Sequence, residues 1–178
     1  MRALCLLILL IVQHASAADT VWHTPDGKPI PDSDSRKGAN GFGASLVVTP
    51  DEDWQAKWNT PHDTVPRFRT TSAVKRGGKA TILIFFVNPK VNAQGEVDVR
   101  CDLRIVRPDG SVSINEKNVV CMGGRLRGDP RSVRLAAPVI TFVGEPQDPL
   151  GEWRIEVSVK DALRDTTLPL KASFSLQP

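Results

Sequence analysis

Tyrosine is absent from the 178 residues, and histidine and methionine are scarce, at three and two. Tyr is a preferred anchor of protein interfaces, so its absence slightly weakens the case for an aromatic-rich contact surface. Only His23 and His62 lie beyond the N-terminal leader described below. His62 beside Asp63 could be half of an acid/base pair, but adjacent residues next to a proline turn more often face water. No G-x-S-x-G elbow, H-E-x-x-H or Cys/His zinc spacing occurs. The glycines at 38, 41 and 43 neither follow an expected strand nor match a phosphate-binding loop, and read as flexibility. The chain therefore reads as non-enzymatic, with no cofactor and no metal.

Apolar runs of membrane-spanning length are also missing, and near the N-terminus stands a short one, residues 4–12. With Arg2 before it and Ala15-Ser16-Ala17 after it, this run reads as a secretory signal covering residues 1–17. It is too short for a permanent membrane span. Cys5 lies inside the apolar core, which speaks against a lipid anchor. The expectation is an exported, periplasmic protein with no stable membrane anchor. A charge excess is lacking too: removing the leader takes Arg2 from 23 basic residues, leaving 22 against 20 acids. Nucleic acid is then not the expected partner, since phosphate binding needs a concentrated basic face.

Cysteine is limited to Cys5, Cys101 and Cys121. In an oxidising compartment the last two, with nothing left over, point to an intramolecular disulfide, stabilising by about 3 kcal/mol. A turn at residues 108–110 would place Cys101 opposite about residue 117. The bridge thus requires a bulge or excursion between Asn115 and Val119.

What is present is β structure. Fourteen prolines and thirteen glycines supply turns. Trp153, Ile155, Val157 and Val159 alternate with Arg154, Glu156, Ser158 and Lys160, the period of a half-buried strand. Residues 168–176 continue the pattern, so the two pair as a C-terminal antiparallel hairpin. Residues 97–105 alternate likewise and turn at Pro108-Asp109-Gly110 into residues 111–114. Residues 80–87, ATILIFFV, are apolar on both parities and read as a central strand. Residues 133–143 form a strand broken or at an edge at Pro138, and residues 44–48 form the first strand. Thr49-Pro50-Asp51-Glu52 has the pattern of a helix start, with Thr as N-cap. That helix ends by about Trp58.

The expectation is an all-β, immunoglobulin-like antiparallel sandwich of about seven strands with one short helix. It occupies residues 44–178, behind an extended or partly disordered arm over residues 18–43. Trp54 and Trp58 share one helix face, either capping an open end of the sandwich or forming a binding face. Asp51, Glu52 and Asp53 could hold a hard cation, but the helix dipole explains them without one. Residues 122–134 carry Arg125, Arg127, Arg131 and Arg134 in a glycine-rich loop. That loop either grips an acidic partner or stays solvated.

ASLVVTPDEDWQAKWNTP (44–61), VRPDGSV (106–112) and GEPQDPLGEWRIEVSVKD (144–161) together resemble small exported Ig-like bacterial proteins, over most of residues 41–178. The resemblance implies an immunity protein that binds and blocks a delivered toxin, a phospholipase effector of type VI secretion first among them. Its contacts would be Asp51, Glu52, Asp53, Trp54, Trp58, Arg125, Arg127 and Arg131. An envelope-assembly chaperone or adaptor using an edge strand is the alternative.

Overall fold

A computed structural model describes residues 21–24, 26–61 and 66–178. The leader over residues 1–17, His62 and Asp63 lie outside the described residues. Within them the chain is an all-β, immunoglobulin-like sandwich with one short helix. Its ten strands exceed the expected seven because the short edge pieces β1 (Arg36–Ala39) and β3 (Ala73–Lys75) were not legible as strands and the strand expected over residues 133–143 is split, its first piece being β7 (Arg134–Leu135).

The first sheet orders β1, β2 (Phe42–Thr49) and β4 (Lys79–Val87), with β7 and β8 (Ile140–Val143) sharing the far edge of β4. β7 and β8 are the broken edge strand expected around Pro138. The second sheet orders β3, β10 (Thr166–Gln177), β9 (Gly151–Asp161), β5 (Glu96–Val106) and β6 (Val112–Arg125). All pairings are antiparallel except β3 on β10. The C-terminal hairpin forms as the periodicity implies, with Trp153 opposite Phe174.

The core lies between the sheets and takes the alternate residues of each strand. Phe42, Leu46, Ile82, Ile84 and Phe86 come from one sheet, and Leu103, Ile155, Leu170 and Phe174 from the other. Trp153 is 2% exposed and packs edge-on to Phe142, with ring centroids 4.9 Å apart. Its indole N–H donates to the Pro149 carbonyl. The other parity of β4 has a cover of its own. Trp58 and Phe68 lie 5.3 and 5.5 Å from the Phe85 ring. The helix end thus covers the outer face of the first sheet rather than capping an open end of the sandwich, and this is why β4 is apolar throughout.

Cys101 and Cys121 are bonded, with Cα atoms 5.8 Å apart. The register shifts three times along β5–β6, each time adding one residue to β6. One shift lies between Glu116 and Val119, the expected excursion, and another makes Cys121 itself the inserted residue. Asn118 there has φ of 53°, a left-handed conformation that Asn tolerates. The Asp102 carboxylate fixes this bulge, accepting from Asn118 N at 2.9 Å and Lys117 Nζ at 3.1 Å. The Asn118 main-chain N–H first, with Lys117 adding, holds the Asp102 carboxyl below its ordinary range.

Part of the segment expected as an arm is folded onto the first sheet. Asn40-Gly41, both at positive φ, form the two-residue turn of the β1–β2 hairpin, the favoured chemistry for such a turn. Upstream, Trp22 and Ile30 bracket a smaller hairpin, with Ile30 N donating to Trp22 O. Trp22 and Val21 rest on Gly38 and Gly43. A Cβ at Gly43 would stand 3.0 Å from the indole nitrogen, and one at Gly38 3.1 Å from Val21. Close packing, not flexibility, accounts for these two glycines.

Candidate functional site

Two surfaces carry the residues singled out in the sequence, and β4 separates them. Thr49 lies opposite Thr81 near one end of β4 and Gly43 opposite Val87 at the other. Thr81 and Val87 are six residue steps apart along the strand, roughly 20 Å.

At the first end the chain leaves β2 at Thr49. The expected N-cap does not form, because Thr49 is held in the sheet by its pairing with Thr81. Its hydroxyl accepts from Asp51 N at 3.1 Å, and α1 (Trp54–Trp58) starts five residues on with Asp53 as N-cap. No acid lies in the first turn, so dipole stabilisation does not explain this acidic run. Asp51 is only 1% exposed. Its carboxylate accepts from Lys57 Nζ at 2.7 Å, Arg69 N at 2.9 Å and Arg69 Nε at 2.6 Å. The Lys57 hydrogen bond foremost, joined by both Arg69 donors, holds the Asp51 carboxyl well below the usual carboxylate range despite burial. The Lys57 ammonium is correspondingly raised by Asp51. Asp51 therefore ties α1 and the chain at Arg69 to the sheet, and its oxygens are not offered to a partner. Asp53 pairs with Lys57 at 3.1 Å and stays exposed, as does Glu52.

Beside this ion-pair cluster a cleft of about 200 Å³ opens on the outer face of the first sheet. Thr49, Thr81 and Thr141 stand side by side on β2, β4 and β8 and line it, with Trp54, Glu52 and Lys79 around them. Trp58, in contrast, is occupied by its contact with Phe85. The threonine row went unread because its members are far apart in sequence. Pairing alone brings them together.

At the second end lie the arginines. Arg125 is the last residue of β6, paired with Glu96, so the loop is shorter than residues 122–134. It is also ordered by its own hydrogen bonds. Arg134 Nη2 donates to the carbonyls of Arg127 at 2.7 Å and Asp129 at 2.9 Å. Asp129 Oδ1 accepts from Arg131 N at 2.8 Å, and Asn88 N donates to Pro130 O. Arg134 is thus a positioning residue, while Arg125, Arg127 and Arg131 are exposed. The Arg131 guanidinium lies 3.5 Å from Asp129, and the Arg125 and Arg127 side chains have no bonded partner among the described residues.

A clasp absent from the sequence reading closes the same end. The buried Asp161 carboxylate accepts from Lys90 N and from Arg164 N and Nε. Arg164 also donates to the carbonyls of Asn40 and Asn88. The available signals were Asn88, just past the expected strand 80–87, and the Asn40-Gly41 dipeptide inside the expected arm; both asparagines have positive φ.

Fold and site together define a disulfide-bridged β-sandwich with a polar cleft on one sheet and a braced arginine loop at the far end. No family model and no curated protein matches the chain. Among solved structures it is similar to a family 123 glycoside hydrolase from Clostridium perfringens, at 11% identity and TM-score 0.44, over 76% of this chain and 27% of that one. A DNA-bound alkylpurine DNA glycosylase from Pseudomonas fluorescens gives 14% and 0.42, over 79% and 31%. A Niemann-Pick type C2 protein from the Japanese carpenter ant gives 13% and 0.39, over 75% and 89%. The chain spans less than a third of the first two. Likenesses at this level carry no argument about function.

Proposed function

We propose that this chain is a non-enzymatic periplasmic binding protein, an immunity protein that neutralises a delivered antibacterial toxin by covering it. A phospholipase effector of type VI secretion is the toxin of first choice, on the resemblance of residues 44–61, 106–112 and 144–161. The observation that carries the reading is the braced loop. Arg134 fixes the main-chain path of residues 127–129, so the backbone there has little ordering left to lose on binding, while the guanidinium groups of Arg125, Arg127 and Arg131 stay exposed. Such groups match carboxylates bidentately. A strand-lending chaperone ranks below this reading, since three register shifts interrupt the outer strand β6, and bulges blunt an edge against further pairing.

The test recovers stoichiometric partners of the tagged protein from its native envelope and measures phospholipid hydrolysis by the recovered enzyme with and without the chain. A one-to-one complex with hydrolysis abolished is the expected result. A ladder of unfolded envelope proteins, or a complex that hydrolyses undiminished, would overturn it.

A further inference from the structure

The cleft beside α1 has hydrogen-bonding capacity that the protein does not use. Thr81 is only 6% exposed and lines the cleft, yet its hydroxyl bonds to no other described residue. Its oxygen is not sealed in the core, since Arg36 Nε and Arg134 Nε are the buried unpartnered side-chain atoms among the described residues, so the Thr81 hydroxyl opens to the cleft. Thr141, its neighbour on β8, has an unengaged hydroxyl as well, and Thr49 uses its own only as an acceptor. Trp54 adds an indole that makes no ring contact among the described residues. At the rim, Lys79 and Glu52 carry opposite charges and are paired neither with each other nor with any other described residue. The third charge, Asp51, is already compensated by Lys57 and Arg69.

These observations define what fits. The charges of the cleft balance, so nothing in it selects a net anion or cation. The floor presents hydroxyls that both donate and accept, and an indole offers an apolar face with one donor. At about 200 Å³ the space equals roughly seven waters at ~30 Å³ each. That is below the ~300 Å³ at which drug-sized pockets begin. The occupant is therefore one small, neutral ring carrying several hydroxyls. We infer that the cleft lined by Thr49, Thr81, Thr141 and Trp54 binds one pyranose ring of a neutral glycan. The Thr81 and Thr141 hydroxyls exchange hydrogen bonds with the ring's hydroxyls, Trp54 covers an apolar face, and Lys79 and Glu52 bond at its edges. The inference is independent of the toxin reading and is measured with no partner protein present.

The experiment follows the indole N–H resonances of the disulfide-bonded protein by NMR while glucose and N-acetylglucosamine are added up to ~20 mM, enough to fill a millimolar site. The Trp54 signal is identified by its loss in Trp54→Phe. Saturable movement of that signal with at least one sugar is expected. Thr81→Val should weaken the Kd about tenfold, the effect of one hydrogen bond. Thr141→Val, at an exposed position where folding is not at stake, should weaken it in the same direction. Absence of movement with both sugars overturns the inference, as does movement that neither valine variant diminishes. Equal movement with free glycine, a zwitterion, overturns the ligand class.

Discussion

At the residue scale, Asp51 shows how a local pattern can be right about importance and silent about role. Thr49-Pro50-Asp51-Glu52 has the composition of a helix start, but ladder pairing with Thr81 outweighs a cap worth about 1 kcal/mol. What the run supplies instead is a buried carboxylate with three donors. Its contribution follows from linkage. With a folded pKa far below the unfolded value of about 4, the ionised form stabilises the fold fully above that pH. The stabilisation is lost as pH falls below it toward the folded pKa. Asp51→Asn should therefore lower stability at pH 7 by about 2 kcal/mol in urea unfolding. The value is kept modest because Lys57 and Arg69 remain 29% and 74% exposed and can be resolvated. Near pH 3 the gap between the two proteins should narrow. A gap unchanged with pH would mean the carboxylate's charge is not what holds α1 down.

At the element scale, long periodic strands were legible and short edge pieces were not. β4, β5, β9 and β10 announce themselves because one parity, or both in β4, must be apolar to bury. β1 and β3, at four and three residues, are too brief to show any period. They exist because a neighbour supplies the ladder. The two-residue turn at Asn40-Gly41 was readable, but its flanks lacked the alternation that would have drawn attention to it. Beyond β1 the edge is closed by side chains rather than by another strand. Trp22 Nε1 donates to Lys37 O at 3.0 Å and Asp32 Oδ1 accepts from Gly38 N at 3.1 Å. Trp22→Ala should thus uncover both the β1 edge and the Gly38–Gly43 platform. Faster amide exchange confined to β1 and the start of β2, with the β9–β10 core unaffected, is the expected readout. The disulfide needed a bulge to reconcile spacing with register, and three are present. Reduction, or a Cys101→Ala/Cys121→Ala pair, should cost about 2–5 kcal/mol, measured as a drop in thermal midpoint.

At the scale of the whole molecule, the candidate contacts do not form one patch by proximity. Trp54 lies beside Thr81 and the braced loop beside Val87, about 20 Å apart along β4. A standard interface of about 800 Å² per side is roughly 30 Å across, so one partner lying along the outer face of the first sheet can reach both. The two ends should then contribute by different physics. The arginines, exposed at the rim, act chiefly through long-range attraction, whereas Trp54 acts by short-range packing once the partner is seated. Arg125→Ala/Arg127→Ala/Arg131→Ala should slow association with the recovered toxin about tenfold at low salt and flatten its salt dependence, leaving dissociation little changed. Trp54→Ala should speed dissociation with association unchanged. Because the sites are far apart and share no partner group, their free-energy effects should add in the combined variant to within about 0.5 kcal/mol. Strong non-additivity in surface-plasmon kinetics would mean that the two ends communicate through β4. An arginine variant with wild-type association would remove the loop from the interface and leave the Trp54 end as the sole candidate contact.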